Sequence, residues 1–149
     1  MKTEQSIYSE ALGWVNKSDN NLDNMAQLVF LFGNKDLLKE EHHIDFIRNK
    51  YPIAQVVGCS TSGEIFQEVV LNNNIVCTAI WFENTPFEIA KVQINKMEDS
   101  FMVGEKLAEK LDNKDLVHIM ILSEGLNING SELTKGLNCK LNNLSLIHI

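Results

Sequence analysis

What the chain lacks narrows its chemistry first. Its three cysteines, Cys59, Cys77 and Cys139, are odd in number, widely spaced and without a CxxC pair. Neither a disulfide framework nor a zinc knuckle is implied, and reduced thiols are expected. No GxxxxGK[ST] or GxGxxG occurs, so the phosphate-cradling signatures of nucleotide-binding enzymes are missing. No apolar stretch approaches the roughly 20 residues that span a bilayer. The polar opening Met1-Lys2-Thr3-Glu4-Gln5 lacks the apolar centre of a secretory signal, which predicts a cytoplasmic protein with no membrane span. Basic residues are in deficit, 13 against 20 acidic ones for a formal net charge of -7, with the acidic residues scattered along the chain. Such a surface repels a phosphate backbone and offers no basic stripe for counterion release, so nucleic-acid binding is excluded.

What remains is an ordinary globular composition, 149 residues with 44% hydrophobic and 22% charged, enough for one domain with a buried core. Ile7, Ala11, Trp14 and Val15 fall at helical spacing and predict a first helix, broken by the Asn- and Asp-rich run from Asn16 to Asn24. Leu28-Val29-Phe30-Leu31-Phe32, closed by Gly33-Asn34, reads as a strand buried on both faces. A helix with Ile44 and Ile47 on its inner face ends at Tyr51-Pro52, because the residue before proline resists the helical region. Ile53 to Val57 is the next strand. Glu68 to Leu71 and Ile75 to Phe82 flank Asn72-Asn73-Asn74, a polar insert of hairpin length. Phe87 to Ile94 reads as a further strand. A helix capped by Asp99 or Ser100 follows, with Val103, Leu107 and Leu111 facing inward. Leu116 to Leu122 is another buried strand, and Asn129 with Glu132 three residues on forms a capping box for the last helix. Helices alternating with strands around at least one hairpin make an α/β fold with a mixed β-sheet and flanking helices.

Two polar loops carry the chemistry. In the first, Gly58 and Gly63 bracket Cys59, Ser60, Thr61 and Ser62, and Glu64 follows. The glycines permit backbone angles and close contacts that other residues forbid, while three hydroxyls donate and accept. The second runs from Ser123 to Leu133 and includes Glu124, Asn127 and Asn129. Both follow apolar strands, where open α/β sheets place ligands, and two such loops can line one pocket. Hydroxyls and backbone N–H groups suit a carboxylate or carbonyl, and Glu64 and Glu124 suit an ammonium group, together fitting an amino-acid-like ligand. In the competing reading, the hydroxyls satisfy their own backbone and the glutamates are solvated.

Catalysis is not indicated. The first loop departs from the GxSxG nucleophile elbow in its spacing. Cys59 as the nucleophile of a hydrolase or transferase would need a histidine, and neither loop contains one. Adjacent His42 and His43 are expected to splay on a helix and to lie at the surface rather than form a metal pair, so no metal ligands are assigned. His118, within an apolar strand, reads as a hydrogen-bonded core histidine, with axial ligation of haem as the alternative.

The order and spacing of the early buried strand, the helix ending at Tyr51-Pro52, the Gly58-Cys59-Ser60-Thr61-Ser62-Gly63-Glu64 loop and the Ser123 to Leu133 segment resemble the FIST domain over essentially the whole chain. That resemblance implies a single N-terminal sensory domain over residues 1–149, which binds a small molecule rather than transforming it. It also implies a kinase, cyclase or chemoreceptor output partner. No cofactor is expected, haem-based sensing of nitric oxide being the family's other mode. In the family a strand, a glycine-rich loop and a second domain follow the last helix. Here Leu144-Ser145-Leu146-Ile147-His148-Ile149 ends in an apolar run, so a fragment with an incomplete C-terminal part and an unpaired tail is expected.

Overall fold

In the first of the protein's two compact units, Met1–Pro86, the chain begins with a hairpin of strands. The computed structural model describes residues 1–111, 114, 116–123, 125–141 and 145–148, the last four as backbone. Strand β1 (Lys2–Ser9) turns back through Gly13, whose φ of 66° suits glycine, into β2 (Gly13–Asn16), with Ile7 opposite Val15 and Tyr8 opposite Trp14. The helix expected over this stretch is therefore absent. Its strand period is masked because the inward-facing side chains Glu4 and Ser6 are polar, so the residues that look apolar in sequence mark the wrong period.

Strand β3 (Leu28–Gly33) leads through helices α1 (Lys35–Lys39) and α2 (Glu41–Lys50) into β4 (Gln55–Ser60), which lies parallel to β3. Val29, Leu31 and Gly33 of β3 are buried, whereas Phe30 and Phe32 are only half-buried, so burial on both faces is incomplete. After β4, a small hairpin of β5 (Glu64–Phe66) and β6 (Val69–Leu71) turns through Gln67 at φ 53°. The next strand, β7 (Asn74–Trp81), inserts antiparallel between β1 and β3, giving the sheet order β2-β1-β7-β3-β4. The segments around Asn72-Asn73-Asn74 thus do not pair with each other. The first pairs with β5, and the second is drawn into the sheet by eight register partners along β1.

The core of this unit joins Leu22, Val29, Leu31, Ile47, Tyr51, Ile75 and Cys77. Each fully buried aliphatic side chain contributes about 1.5–3 kcal/mol relative to exposure. Helix α2 inserts His43 and Ile47, four residues apart, as its buried positions, while Ile44 is half-buried. The expectation that His43 is a surface residue fails because a polar residue occupies the core position one turn before Ile47. Burial, reinforced by His42 and opposed by Glu40, lowers the His43 pKa.

One carboxylate ties three segments together. Glu4, 1% exposed, accepts from Asn16 Nδ2 at 3.0 Å, from the Leu22 backbone N–H at 2.6 Å and from Lys50 Nζ at 2.6 Å. The end of β2, the loop after it and the end of α2 all meet on this residue of β1.

The second unit, Phe87–Ile149, packs helix α3 (Ser100–Lys110) on α4 (Gly130–Lys140). Gly104 and Gly136 allow the approach. A Cβ on Gly104 would strike the Leu133 carbonyl, and one on Gly136 the Phe101 carbonyl. The expected inward face of α3 is observed, with Val103 and Ala108 buried and Leu107 and Leu111 packed beside them. A 3-10 turn (Met97–Asp99) precedes α3, and Asp99 occupies the N-cap without a side-chain capping bond. Strand β8 (His118–Ile121) pairs in parallel with β9 (Ser145–His148). The tail, expected to be unpaired, is therefore hydrogen-bonded to β8 along this stretch. Residues 87–94 carry no strand among the described residues, although Val92 and Ile94 reach the core. His118 is exposed rather than buried.

Replacing Lys50 with Met leaves the Glu4 charge buried without its cation and should cost about 3–5 kcal/mol in urea unfolding. Adding Glu4→Gln to that variant should recover part of the loss. A single-variant cost below about 1 kcal/mol would show that the pair is not a fastening.

Candidate functional site

The first loop is shaped by β4. Each β4 residue from Gln55 to Ser60 has a register partner on β3, and the Thr61 N–H extends the ladder to the Gly33 carbonyl at 3.0 Å. The strand therefore continues three residues past the expected boundary at Val57, and only Thr61, Ser62 and Gly63 form the turn. Gly58 lies opposite Leu31, and a Cβ there would overlap the Leu31 carbonyl oxygen. Its glycine is explained by close approach of a neighbouring backbone. Gly63 differs from expectation. Its φ is not in the left-handed region, and a Cβ would sit 3.4 Å from Asn72 Oδ1 and Val70 Cγ1, ordinary contact.

Cys59, Ser60 and Ser62 are exposed, and Thr61 is half-buried. Thr61 Oγ1 donates to Glu64 Oε1 at 2.8 Å. Glu64 itself is 3% exposed, and its second oxygen, Oε2, has no hydrogen-bond partner. Among the described residues no cation reaches this carboxylate. The competing reading, a solvated glutamate, does not hold for Glu64: the side chain is folded inward, where an unsatisfied charge is costly.

Two asparagines that sequence reasoning did not single out sit at the same end of β3. The Asn34 side chain caps α1 by accepting from the Asp36 and Leu37 N–H groups, and its Nδ2 donates to Asn73 Oδ1 at 2.9 Å. The Asn34 N–H donates to the Asn74 carbonyl at 2.9 Å. This pair fixes the turn between β6 and β7 beside the carboxyl end of β3. The available signal was Asn34 directly after the Gly33 that closes the apolar run.

In the second unit, Asn129 caps α4 as expected, but the reciprocal half of the expected capping box is not formed, since the Glu132 carboxylate accepts from Lys135 Nζ at 2.7 Å. The Asn129 Oδ1 accepts from the Glu132 N–H at 3.2 Å, and its own N–H donates to Ser100 Oγ at 2.9 Å. With Met97, Ile128, Gly130, Ser131 and Thr134 it lines an open hollow of about 770 Å³. Asn127 is exposed, and Glu124 lies outside the described residues.

The order of elements and the loop sequences agree with a match of residues 27–147 to the family model described as FIST N domain. The chain belongs to the FIST N domain family. This is a family of sensory domains in signalling proteins. No curated protein and no solved structure matched the chain. The α/β architecture expected from the alternation of helices and strands, a mixed sheet with flanking helices, is the one observed. Among the described residues no helix is long and apolar enough to cross a membrane.

The two loop glycines should respond differently to the same change. Gly58→Ala forces β3 and β4 apart and should lower stability by about 1–3 kcal/mol, whereas Gly63→Ala should change it by less than about 0.5 kcal/mol. Equal melting temperatures for the two variants would remove the steric account of Gly58.

The thiols should divide as well. Burial pushes the Cys77 thiol up to about 12, while Cys59 and Cys139 are exposed. Ellman's reagent at pH 8 should therefore titrate Cys59 and Cys139 rapidly and Cys77 only on unfolding. Rapid labelling of all three cysteines in the native chain would contradict this burial.

Proposed function

We propose that this FIST N domain is a non-catalytic cytoplasmic sensor of a small amino-acid-like ligand. It passes occupancy to an output module of kinase, cyclase or chemoreceptor type. One observation supports the reading above the others: Glu64 is a buried carboxylate whose Oε2 has no hydrogen-bond partner, with the Thr61 hydroxyl on its other oxygen and the exposed Ser60 and Ser62 flanking Thr61 in the chain. An ammonium group is the ligand feature that completes such an acceptor, through a charge-assisted hydrogen bond. Ser60 and Ser62 are exposed donors for the ligand's carboxylate, and Gly58 and Cys59 hold them at the strand end. Thr61 is already engaged with Glu64, so its role is to orient that carboxylate.

Screening the common amino acids by thermal shift and calorimetry tests this. One or more should raise the melting temperature at millimolar concentration, and Glu64→Gln should weaken binding by about tenfold or more, the worth of a charge-assisted bond. Absence of binding by any amino acid, or equal binding to E64Q, would remove the reading and leave Glu64 as a carboxylate satisfied by water.

A further inference from the structure

The most unusual cluster elsewhere in the first unit lies where α2 begins. His43 is fully buried, yet neither Nδ1 nor Nε2 has a hydrogen-bond partner. A buried imidazole ordinarily donates from one nitrogen and accepts at the other, so two orphaned nitrogens mark a site still open to a partner. The ring is held by Tyr8, whose centroid is 4.1 Å away, and by Trp14 at 6.2 Å. Its Nε2 lies 4.0 Å from Glu40 Oε2, and the same oxygen is 3.5 Å from His42 Nδ1. The neighbouring imidazoles, expected to splay, approach to 3.9 Å between centroids. One ligand atom from each of Glu40, His42 and His43 lies within 4.8 Å of the other two.

We propose that Glu40, His42 and His43 form a site for one divalent transition-metal ion of the zinc type. Two imidazoles and a carboxylate are a recurrent donor set for that ion, leaving a fourth position to water or an outside ligand. Bond lengths of about 2.0–2.2 Å put tetrahedral ligand atoms roughly 3.3–3.6 Å apart. The Glu40–His42 separation already matches. The other separations close by movement of Glu40 and His42, whose side chains are more than half exposed, onto the fixed His43 ring. The observed arrangement therefore has one rigid ligand, set by Tyr8 and Trp14, and two mobile ones at the solvent side. A bound ion would tie the exposed ends of Glu40 and His42 to the His43 ring, which rests against Tyr8 and Trp14 of the β1–β2 hairpin. This is separate from the Glu64 site, and neither proposal depends on the other.

The test uses the full chain, stripped with EDTA and titrated with Zn²⁺ by calorimetry, and with Co²⁺ for its visible ligand-field absorption. One ion per chain is expected, with a Co²⁺ spectrum of low coordination number and a raised melting temperature with Zn²⁺. His42→Ala and Glu40→Gln change exposed side chains and should keep the fold, checked by circular dichroism, while each weakens Zn²⁺ binding by about tenfold or more. His118→Ala, a change at an exposed histidine outside the cluster, should leave binding unchanged. No binding by the wild-type chain at about 100 μM Zn²⁺, a concentration well above ordinary protein-site affinities, would overturn the proposal. So would binding that survives in H42A or E40Q, or binding lost in H118A.

Discussion

The buried carboxylate of Glu4 is the constraint on which the first unit depends. A charge this deep is tolerated only when its lone pairs are taken. Lys50, Asn16 and the Leu22 backbone take them. Each partner belongs to a different segment, so one residue on β1 fixes the entry to β3 and the exit from α2. Tyr51, next to Lys50, has its hydroxyl pKa raised, first by burial and then by Cys77 and Glu4 nearby. The polar centre and the apolar core are thus one assembly, with the sheet's polar face residues inside rather than out.

Such an arrangement explains which parts of the fold were legible in the sequence. The apolar strand Leu28–Phe32, the helix before Tyr51-Pro52, the amphipathic face of α3 and the Asn129 cap all announce themselves, because the residue types match their environments. The first hairpin does not. Glu4 and Ser6 face the core, so the period-two alternation that marks a strand is inverted, and Ile7, Ala11, Trp14 and Val15 imitate a helix. The same inversion hid His43, a polar side chain in the core stripe of α2. The Asn72–Asn74 insert was recognised as a turn, but its strands take other partners. Pairing across a sheet depends on competition between distant strands, which no local window contains.

The candidate site was legible in kind and only partly in detail. Glycine at position 58 was read as a sign of close approach, and the approach is that of Leu31 on the neighbouring strand. Glycine at position 63 looks identical in sequence yet meets no such neighbour. Glu64 was recognised as a candidate acceptor, but its burial was not, because that follows from the β5–β6 hairpin folding its alternate residues, Glu64 and Phe66, inward. Carboxylate chemistry can be read from letters; the dielectric around it cannot.

The sheet order carries a further consequence for where this domain begins. Similarity to the family starts at residue 27, whereas the hydrogen-bonded sheet starts at Lys2. Strand β1 lies between β2 and β7, so residues ahead of the family boundary supply two of the five strands in the main sheet. A chain trimmed to the shared region would bare the whole edge of β7 and strip Lys50 of its carboxylate. The portion matched to the family and the portion that builds the main sheet are different stretches of chain, and the sheet reaches further toward the first residue.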